Sequence, residues 1–357
     1  APPVAALPGG HAPERTVTAA RVTAAQGPVC ASGALAAKLA AKERPMARES
    51  DGEAGAGADA GPLPDDALLA EIEGVALELA RFAGGEITAA LRRGMTVEYK
   101  TEAKGEAAPT DPVSEVDRNV ERQLRKQLAE RFPDHAIVGE EVDEHPAADA
   151  EFVWAIDPVD GTTNFVNGFP LFACSIGVLH RGRPVIGVVW CSTSHELRPA
   201  VYHARHGSAL LLDGEEVTPG PPASGVSRRL AAAPGGAAGR QRGWDNRVTG
   251  CASIECVFVA AGIFNSASFW GPGLWDVAAG TVLLRAAGRE IWTRDGRGWR
   301  SFERFEAPSE VREEREPSLR DWRRPLLVGE REALAVLRER LRGPSRWRRL
   351  RRRLHLP

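Results

Sequence analysis

Residues 152–165, Phe-Val-Trp-Ala-Ile-Asp-Pro-Val-Asp-Gly-Thr-Thr-Asn-Phe, join an apolar run to a forced turn. The run Phe152–Ile156 reads as a buried strand that stops at Asp157. Pro158 fixes its own φ and Gly161 permits φ > 0, so the chain must turn sharply there. Such a turn can aim Asp157 and Asp160 at one point, with the hydroxyls and N–H groups of Thr162 and Thr163 following. Hard oxygen donors at the end of a buried strand suit Mg²⁺ better than a soft metal. An isolated D-P-x-D-G is equally an ordinary turn, so the metal reading depends on matching acids elsewhere in the chain.

The 357 residues allow one large domain or two smaller ones with a substantial core. Net charge is −2, yet residues 338–356 hold nine Arg against one Glu, which leaves a distinctly acidic body. An acidic body argues against nucleic-acid binding by the folded part. Five cysteines, at 30, 174, 191, 251 and 256, form no C-x-x-C pair, so neither a disulfide framework nor a zinc site is expected. His203 and His206 have a metal-like spacing, but Val201-Tyr202 before them favours a strand and turn. No apolar stretch approaches the ~20 residues that span a bilayer. A cytoplasmic, reduced protein is expected.

Residues 1–63 are rich in Ala, Gly and Pro, contain no aromatic residue, and are expected to be a disordered extension. They faintly resemble a transit peptide, and Met46 offers an alternative natural start. The folded part is expected over 64–342, with a metal-binding half over about 64–215 and a second half over about 216–342. Helical spacing begins after Asp65-Asp66, with a break expected at Gly84-Gly85 and a second helical piece to Arg93. Val97–Lys100 is a candidate strand. Ser114 and Asp117 form a capping box for a helix over Glu115–Arg131. Ala136–Gly139 is a short strand ending at Glu140-Glu141. Leu171–Leu179, Val185–Cys191, Leu197–Tyr202 and Ser208–Leu212 read as an antiparallel meander. Beyond it come a weak strand at Arg229–Ala232, a helix over Cys251–Gly262, β character over Ile263–Trp270, and a helix over Val277–Ala287 with Asp276 as N-cap. Leu326–Val328 and Glu330–Leu341 close the pattern as strand and helix. The interleaving indicates an α+β chain rather than a simple βαβ array.

Four acidic clusters thus fall at strand ends or helix starts: Asp111/Asp117, Glu140/Glu141, Asp157/Asp160 and Asp276. Each alone has an ordinary explanation as a cap or a solvated loop. Together they supply carboxylates for two or three divalent ions. The motifs D-P-V-S-E-V-D at 111–117, G-E-E at 139–141, W-A-I-D-P-V-D-G-T-T-N-F at 154–165 and L-W-D-V-A-A-G at 274–280 resemble the inositol monophosphatase family, over roughly residues 66–342. That family comprises Mg²⁺-dependent, lithium-sensitive phosphomonoesterases.

The resemblance implies a layered αβαβα sandwich, the fold shared with fructose-1,6-bisphosphatases. It implies one metal on Glu140, Asp157 and the carbonyl of Val159, and a second on Asp157, Asp160 and Asp276. Mn²⁺ is an expected substitute for Mg²⁺. Asp117 and Thr162 would orient and deprotonate the attacking water, supported by Asp111 and Glu141. The N–H groups of Gly161 and Thr162, with Asp276, would contact the substrate. A homodimer is expected by the same resemblance.

The sequence departs from the family's pattern in three places. Phe269 stands seven residues before Asp276, where inositol-specific members have a Glu that contacts substrate hydroxyls. The segment 228–250 is short, and Gly288-Arg289 stands where Gly-Gly is common. The expected reaction is hydrolysis of a small phosphorylated polyol, sugar or nucleotide by metal-activated water. The competing expectation is a catalytically silent relative that binds a phosphorylated ligand or a partner protein. The basic tail, 343–357, is expected to be a solvated end, with anionic lipid or nucleic acid as its alternative partners.

Overall fold

The computed structural model describes residues 61–341 except 94–96, 100–111, 148, 220–225, 227, 234–243, 296–297 and 312–314. Helix α1 (Asp66–Arg93) buries Leu69, Ile72, Ala76, Leu79, Ala83 and Ile87 along one stripe. Helix α2 (Glu115–Arg131) buries Val116, Val120, Leu124 and Leu128 in the same 3–4 spacing. Strands β1 (Val97–Tyr99) and β2 (Pro112–Ser114) pair antiparallel as a separate two-stranded ladder. Both helix stripes cover one face of a seven-stranded sheet in the spatial order β3 (Ala136–Gly139), β4 (Phe152–Asp160), β5 (Ala173–His180), β6 (Arg183–Cys191), β7 (Ala200–Arg205), β8 (Leu211–Leu212), β9 (Glu215–Glu216). The β3–β4 pair is parallel, and from β4 to β9 the sheet is antiparallel, the expected meander forming its β5–β8 part.

Strand alternation assigns the two faces. Trp154 and Ile156 of β4 pack with α1 and α2, whereas Val153 and Ala155 pack with α4 (Ala252–Ala260) and α5 (Leu274–Ala286). The α4–α5 layer is covered on its far side by a six-stranded sheet. Its order is β11 (Trp244–Arg247), β10 (Arg229–Ala232), β12 (Phe264–Phe269), β15 (Leu326–Gly329), β13 (Glu290–Asp295), β14 (Gly298–Ser301). Ala267, Phe269 and Val328 face the helices, while Leu327 faces out to meet Leu334 and Leu337 of α6 (Arg331–Leu341). The layers therefore run helix, sheet, helix, sheet, helix, as the family resemblance implies. Two glycines let α5 lie close on the first sheet: a Cβ on Gly177 would come 2.7 Å from the Ala279 nitrogen, and Gly187 likewise abuts the Ala279 carbonyl.

Several local expectations need correction. Helix α1 runs unbroken through Gly84-Gly85. Gly84 is there for packing, because a Cβ would collide with the Trp190 indole, whereas Gly85 faces open space. Gly85→Ala is therefore expected to stabilise the fold by up to ~1 kcal/mol through helix propensity. Gly84→Ala is expected to destabilise it by ~1–3 kcal/mol through overpacking, and denaturant midpoints of the pair will show opposite signs.

Strand β4 continues to Asp160 rather than stopping at Asp157, with its register to β5 interrupted between those two residues. The meander's third strand begins at Ala200 instead of Leu197, which is exposed with φ 59°. Helix α5 starts at Leu274 with Gly273 as its N-cap, so Asp276 is the third residue of the helix and not its cap. Strands β11, β13 and β14 lie where no strand was expected, because charged and glycine residues mask their alternation. Among the described residues no helix is long and apolar enough to cross a membrane. Asp111, residues 1–60 and the basic tail from 343 lie outside the described residues, as does the capping role of the Ser114 side chain.

Candidate functional site

The interruption in β4 builds the centre of the site. Pairing with β5 runs to Asp157↔Ser175 and resumes at Asp160↔Ala173, so Pro158 and Val159 bulge out of the ladder between two acids. Asp157 Oδ1 accepts from the Val159 N–H at 3.1 Å, which pins the bulge from inside. Gly161 then takes φ 86°, ψ 39°, and a Cβ there would press on the Leu171 and Gly250 carbonyls at 3.1 and 3.2 Å. Only glycine combines that left-handed backbone with so little room. The chain turns there into the short helix α3 (Thr162–Val166). Asn164 fixes the turn by donating to the carbonyls of Leu171 (2.6 Å) and Thr249 (2.7 Å).

Three other elements bring acids to this turn. Parallel pairing of β3 with β4 ends at Gly139↔Ile156, and the Glu140 N–H donates to the Ile156 carbonyl at 3.2 Å. Glu140 thereby leaves β3 alongside Asp157. Helix α4 points its first N–H groups at Asp160: those of Ala252 and Ser253 donate to its two carboxylate oxygens at 3.2 and 2.5 Å. A carboxylate at a helix N-terminus complements the helix dipole. Asp276 accepts from the Gly273 N–H at 2.6 Å, and the Ser253 hydroxyl donates to the Asp276 carbonyl at 3.3 Å, which ties the starts of α4 and α5 together. Asp117, fully buried in the first turn of α2, accepts from the Thr162 hydroxyl at 3.0 Å, and the Val159 carbonyl is an alternative acceptor 2.9 Å from the same hydroxyl oxygen.

Electrostatics show how crowded these acids are. Burial pushes the Asp157 carboxyl well above the usual carboxylate range, and the charges of Glu140, Asp160 and Asp276 push it the same way. Burial, then Asp160 and Glu140, raise Asp276 to about 8. Asp160 is also raised by burial, against the lowering effect of the Ser253 and Cys251 donors. A carboxyl raised in the fold holds a proton that the unfolded chain releases at 3.8, so its stabilisation is present at low pH and lost as pH climbs to its folded value. In EDTA the thermal midpoint is therefore expected to fall between pH 6.5 and 8. The half-buried His135 and the buried His180, both lowered from 6.5 by burial, oppose this trend little, while Glu255, raised by burial to about 7, adds to it. Asp276→Asn should reduce the slope; an unchanged slope would contradict the assignment.

Mg²⁺ is the group these residues are read as fitting. The donor set is all oxygen and strongly anionic, with the acids close enough to raise one another's affinity for a proton. A hard divalent cation relieves that repulsion. Among the described residues no group of three or more His, Cys, Asp or Glu side chains is already placed to hold a metal ion, so binding would require these carboxylates to turn toward it. Both oxygens of Asp160 and one of Asp276 accept backbone N–H bonds, although each oxygen keeps a second lone pair. His203 is buried in β7 and bonds the buried Glu73 of α1 at 2.7 Å, which ties that helix to the sheet. Burial raises the Cys174 thiol to about 12 and leaves Cys191, Cys251 and Cys256 still less acidic than a free thiol, so none of these four is a thiolate nucleophile.

The model of the inositol monophosphatase family matches residues 68–323, which include all of these acids. The chain belongs to the inositol monophosphatase family. An inositol-1-monophosphatase of Rhizobium meliloti is 34% identical over 210 residues, 53% of this chain and 74% of that protein. The Nus factor SuhB of Salmonella typhimurium is 34% identical over 189 residues, 50% of this chain and 70% of its own length. A solved IMPase/NADP phosphatase complexed with Mg²⁺ and phosphate shares the fold, with a TM-score of 0.59 at 18% identity, covering 78% of this chain and 97% of that one. As a family member the protein is a phosphatase-class hydrolase.

Sequence reasoning missed three side chains around this candidate site. Glu121, one turn after Asp117 and fully buried, accepts from the N–H groups of Glu141 (2.7 Å) and Val142 (3.2 Å) and pairs with Arg125 at 2.8 Å. It fixes the backbone just past Glu140. Arg320 grips the same segment from the other side, donating to the carbonyls of Gly139 and Glu140 (3.2 Å) and to Asp143 (2.9 Å). Arg323 lies against Trp275, next to Asp276. Of the three, only Glu121 left a signal: an acid on the buried side of an amphipathic helix, four residues after another.

Proposed function

We propose that the protein hydrolyses a small phosphorylated polyol, sugar or nucleotide at this site with the help of bound Mg²⁺. The observation that carries the proposal is the meeting of Glu140, Asp157, Asp160 and Asp276 beside the Asp117–Thr162 hydrogen bond. Glu140, Asp157 and the Val159 carbonyl would hold one ion, and Asp157, Asp160 and Asp276 a second. Bound there, Mg²⁺ would supply charge neutralisation for the phosphate dianion and acidify water near neutral pH. The Thr162 hydroxyl, oriented by Asp117, holds the attacking water and passes its proton toward the buried carboxylate. The water oxygen bonds to phosphorus as the ester oxygen leaves on the opposite side and takes a proton from solvent. The N–H groups of Gly161 and Thr162, at the left-handed turn and the first residue of α3, would donate to the remaining phosphate oxygens.

The Nus factor relatives favour a second reading, in which the family scaffold serves as a binding partner and the site is silent. Retention of Asp117 and Thr162 in contact argues against it, because a binding module has no use for a water-orienting pair. The direct experiment is Mg²⁺-dependent release of inorganic phosphate from a panel of phosphomonoesters. Mn²⁺ is expected to substitute, and Li⁺ and excess Ca²⁺ to inhibit.

A further inference from the structure

Trp275, in the first turn of α5 beside Asp276, is in contact with two guanidinium groups. Arg320 lies 5.0 Å and Arg323 4.9 Å from its ring centre. The two arginines differ in what their N–H groups do. Arg320 is consumed: Nε donates to Asp143, Nη1 to the Gly139 carbonyl and Nη2 to the Glu140 carbonyl. Arg323 is only anchored. Its Nη1 donates to the carbonyls of Arg320 (2.9 Å) and Trp322 (2.7 Å), while among the described residues Nε and Nη2 make no hydrogen bond. The residue as a whole is exposed, although its guanidinium is desolvated enough against the protein to lower its pKa.

An anchored guanidinium with an open edge loses little freedom when it binds an anion. Two observations place Arg323 at the rim of the site, and a third says what that rim lacks. The Asp276 carboxylate lies close enough to interact electrostatically with Arg323. A Cβ on Gly271, in the loop joining β12 to α5, would touch the Arg323 carbonyl at 3.9 Å, so the two segments are neighbours. Phe269, which ends β12 where the loop starts, is apolar and buried and cannot accept from a substrate hydroxyl. The rim thus offers a fixed cationic donor in place of a hydroxyl acceptor.

We propose that Arg323 determines specificity by binding a second anionic group, phosphate or carboxylate, on the leaving portion of the substrate. This rests on the phosphatase reading of the site. The geometry suits either anion, since a guanidinium fork matches both.

Calorimetric binding with Ca²⁺ in place of Mg²⁺, to suppress turnover, tests the proposal in two matched pairs. Fructose 1,6-bisphosphate against fructose 1-phosphate reads a second phosphate, and 3-phosphoglycerate against glycerol 3-phosphate reads a carboxylate. The wild type is expected to favour the two-anion member of at least one pair by about 10–100-fold, and the pair that responds identifies the anion. Arg323→Gln should weaken the two-anion member at least about tenfold more than the one-anion member, with Arg323→Lys retaining part of the preference. Equal binding within both pairs by the wild type would overturn the proposal. Equal weakening of both members in Arg323→Gln would also do so, since Arg323 would then serve the shared phosphate or the Trp275 packing. Mg²⁺-dependent hydrolysis of p-nitrophenyl phosphate, measured alongside, separates the two claims. No turnover with the binding preference intact removes the phosphatase reading and leaves the anion site standing.

Discussion

Asp157→Asn is expected to abolish phosphate release while making the metal-free protein more stable to heat. Asp157 is almost wholly buried, and it is the acid whose proton affinity is raised by three carboxylate neighbours at once. Asparagine has the same shape and keeps an oxygen for the Val159 N–H, so the bulge survives. The change spares the metal-free fold the cost of either holding a negative charge in a crowded cluster or taking up the proton that avoids it, and without metal that is a relief. With metal it removes the donor that both proposed ions share. If the ions supply several kcal/mol of transition-state stabilisation, kcat/KM falls by ~10³ or more. Thermal midpoints with and without Mg²⁺ provide the check: a gap in the wild type should close in the variant. A variant that keeps both the gap and the activity would show that Asp157 does not bridge.

Asp117→Asn should also cost activity, by a different route. Asp117 is proposed to act through the Thr162 hydroxyl, 3.0 Å away, on the attacking water. Removing its charge takes away the proton's destination and leaves the proposed ligands untouched. A loss of ~10²–10⁴ in kcat is expected, the usual scale of general acid–base assistance. Apparent Mg²⁺ affinity and KM should change little. Thr162→Val, which cuts the same link from the other end, should behave alike, and the double variant should be little worse than either single one. Multiplying losses in the double variant would mean that the two residues act independently.

How far the residues alone disclose this site differs from element to element. Asp157, Asp160, Glu140 and Asp276 were legible because each closes an apolar strand or sits in the first turn of an apolar helix, where the pattern is strongest. Local details around them were less legible. Asp276 looks like a cap on propensity, yet Gly273 takes that role because its backbone is extended and its N–H reaches the Asp276 carboxylate. Gly84-Gly85 looks like a break, yet the bulk of Trp190, more than a hundred residues later, explains Gly84. Strands β13 and β14 escaped because Arg, Asp, Glu and Gly interrupt their alternation, and pairing decides their conformation, β13 with β15 and β14 with β13. Arg320 was beyond reach in principle. It bonds backbone carbonyls about 180 residues away, and no periodicity in its own irregular segment announces such a contact.

Release of inorganic phosphate from a phosphomonoester panel by the wild-type protein, titrated with Mg²⁺ from an EDTA-treated start, tests the central claim most directly. The account predicts no release without the cation, saturable release with it, and loss of that release in Asp157→Asn. Release that is independent of Mg²⁺, or none from any substrate when the ion is bound and the fold intact, would contradict it.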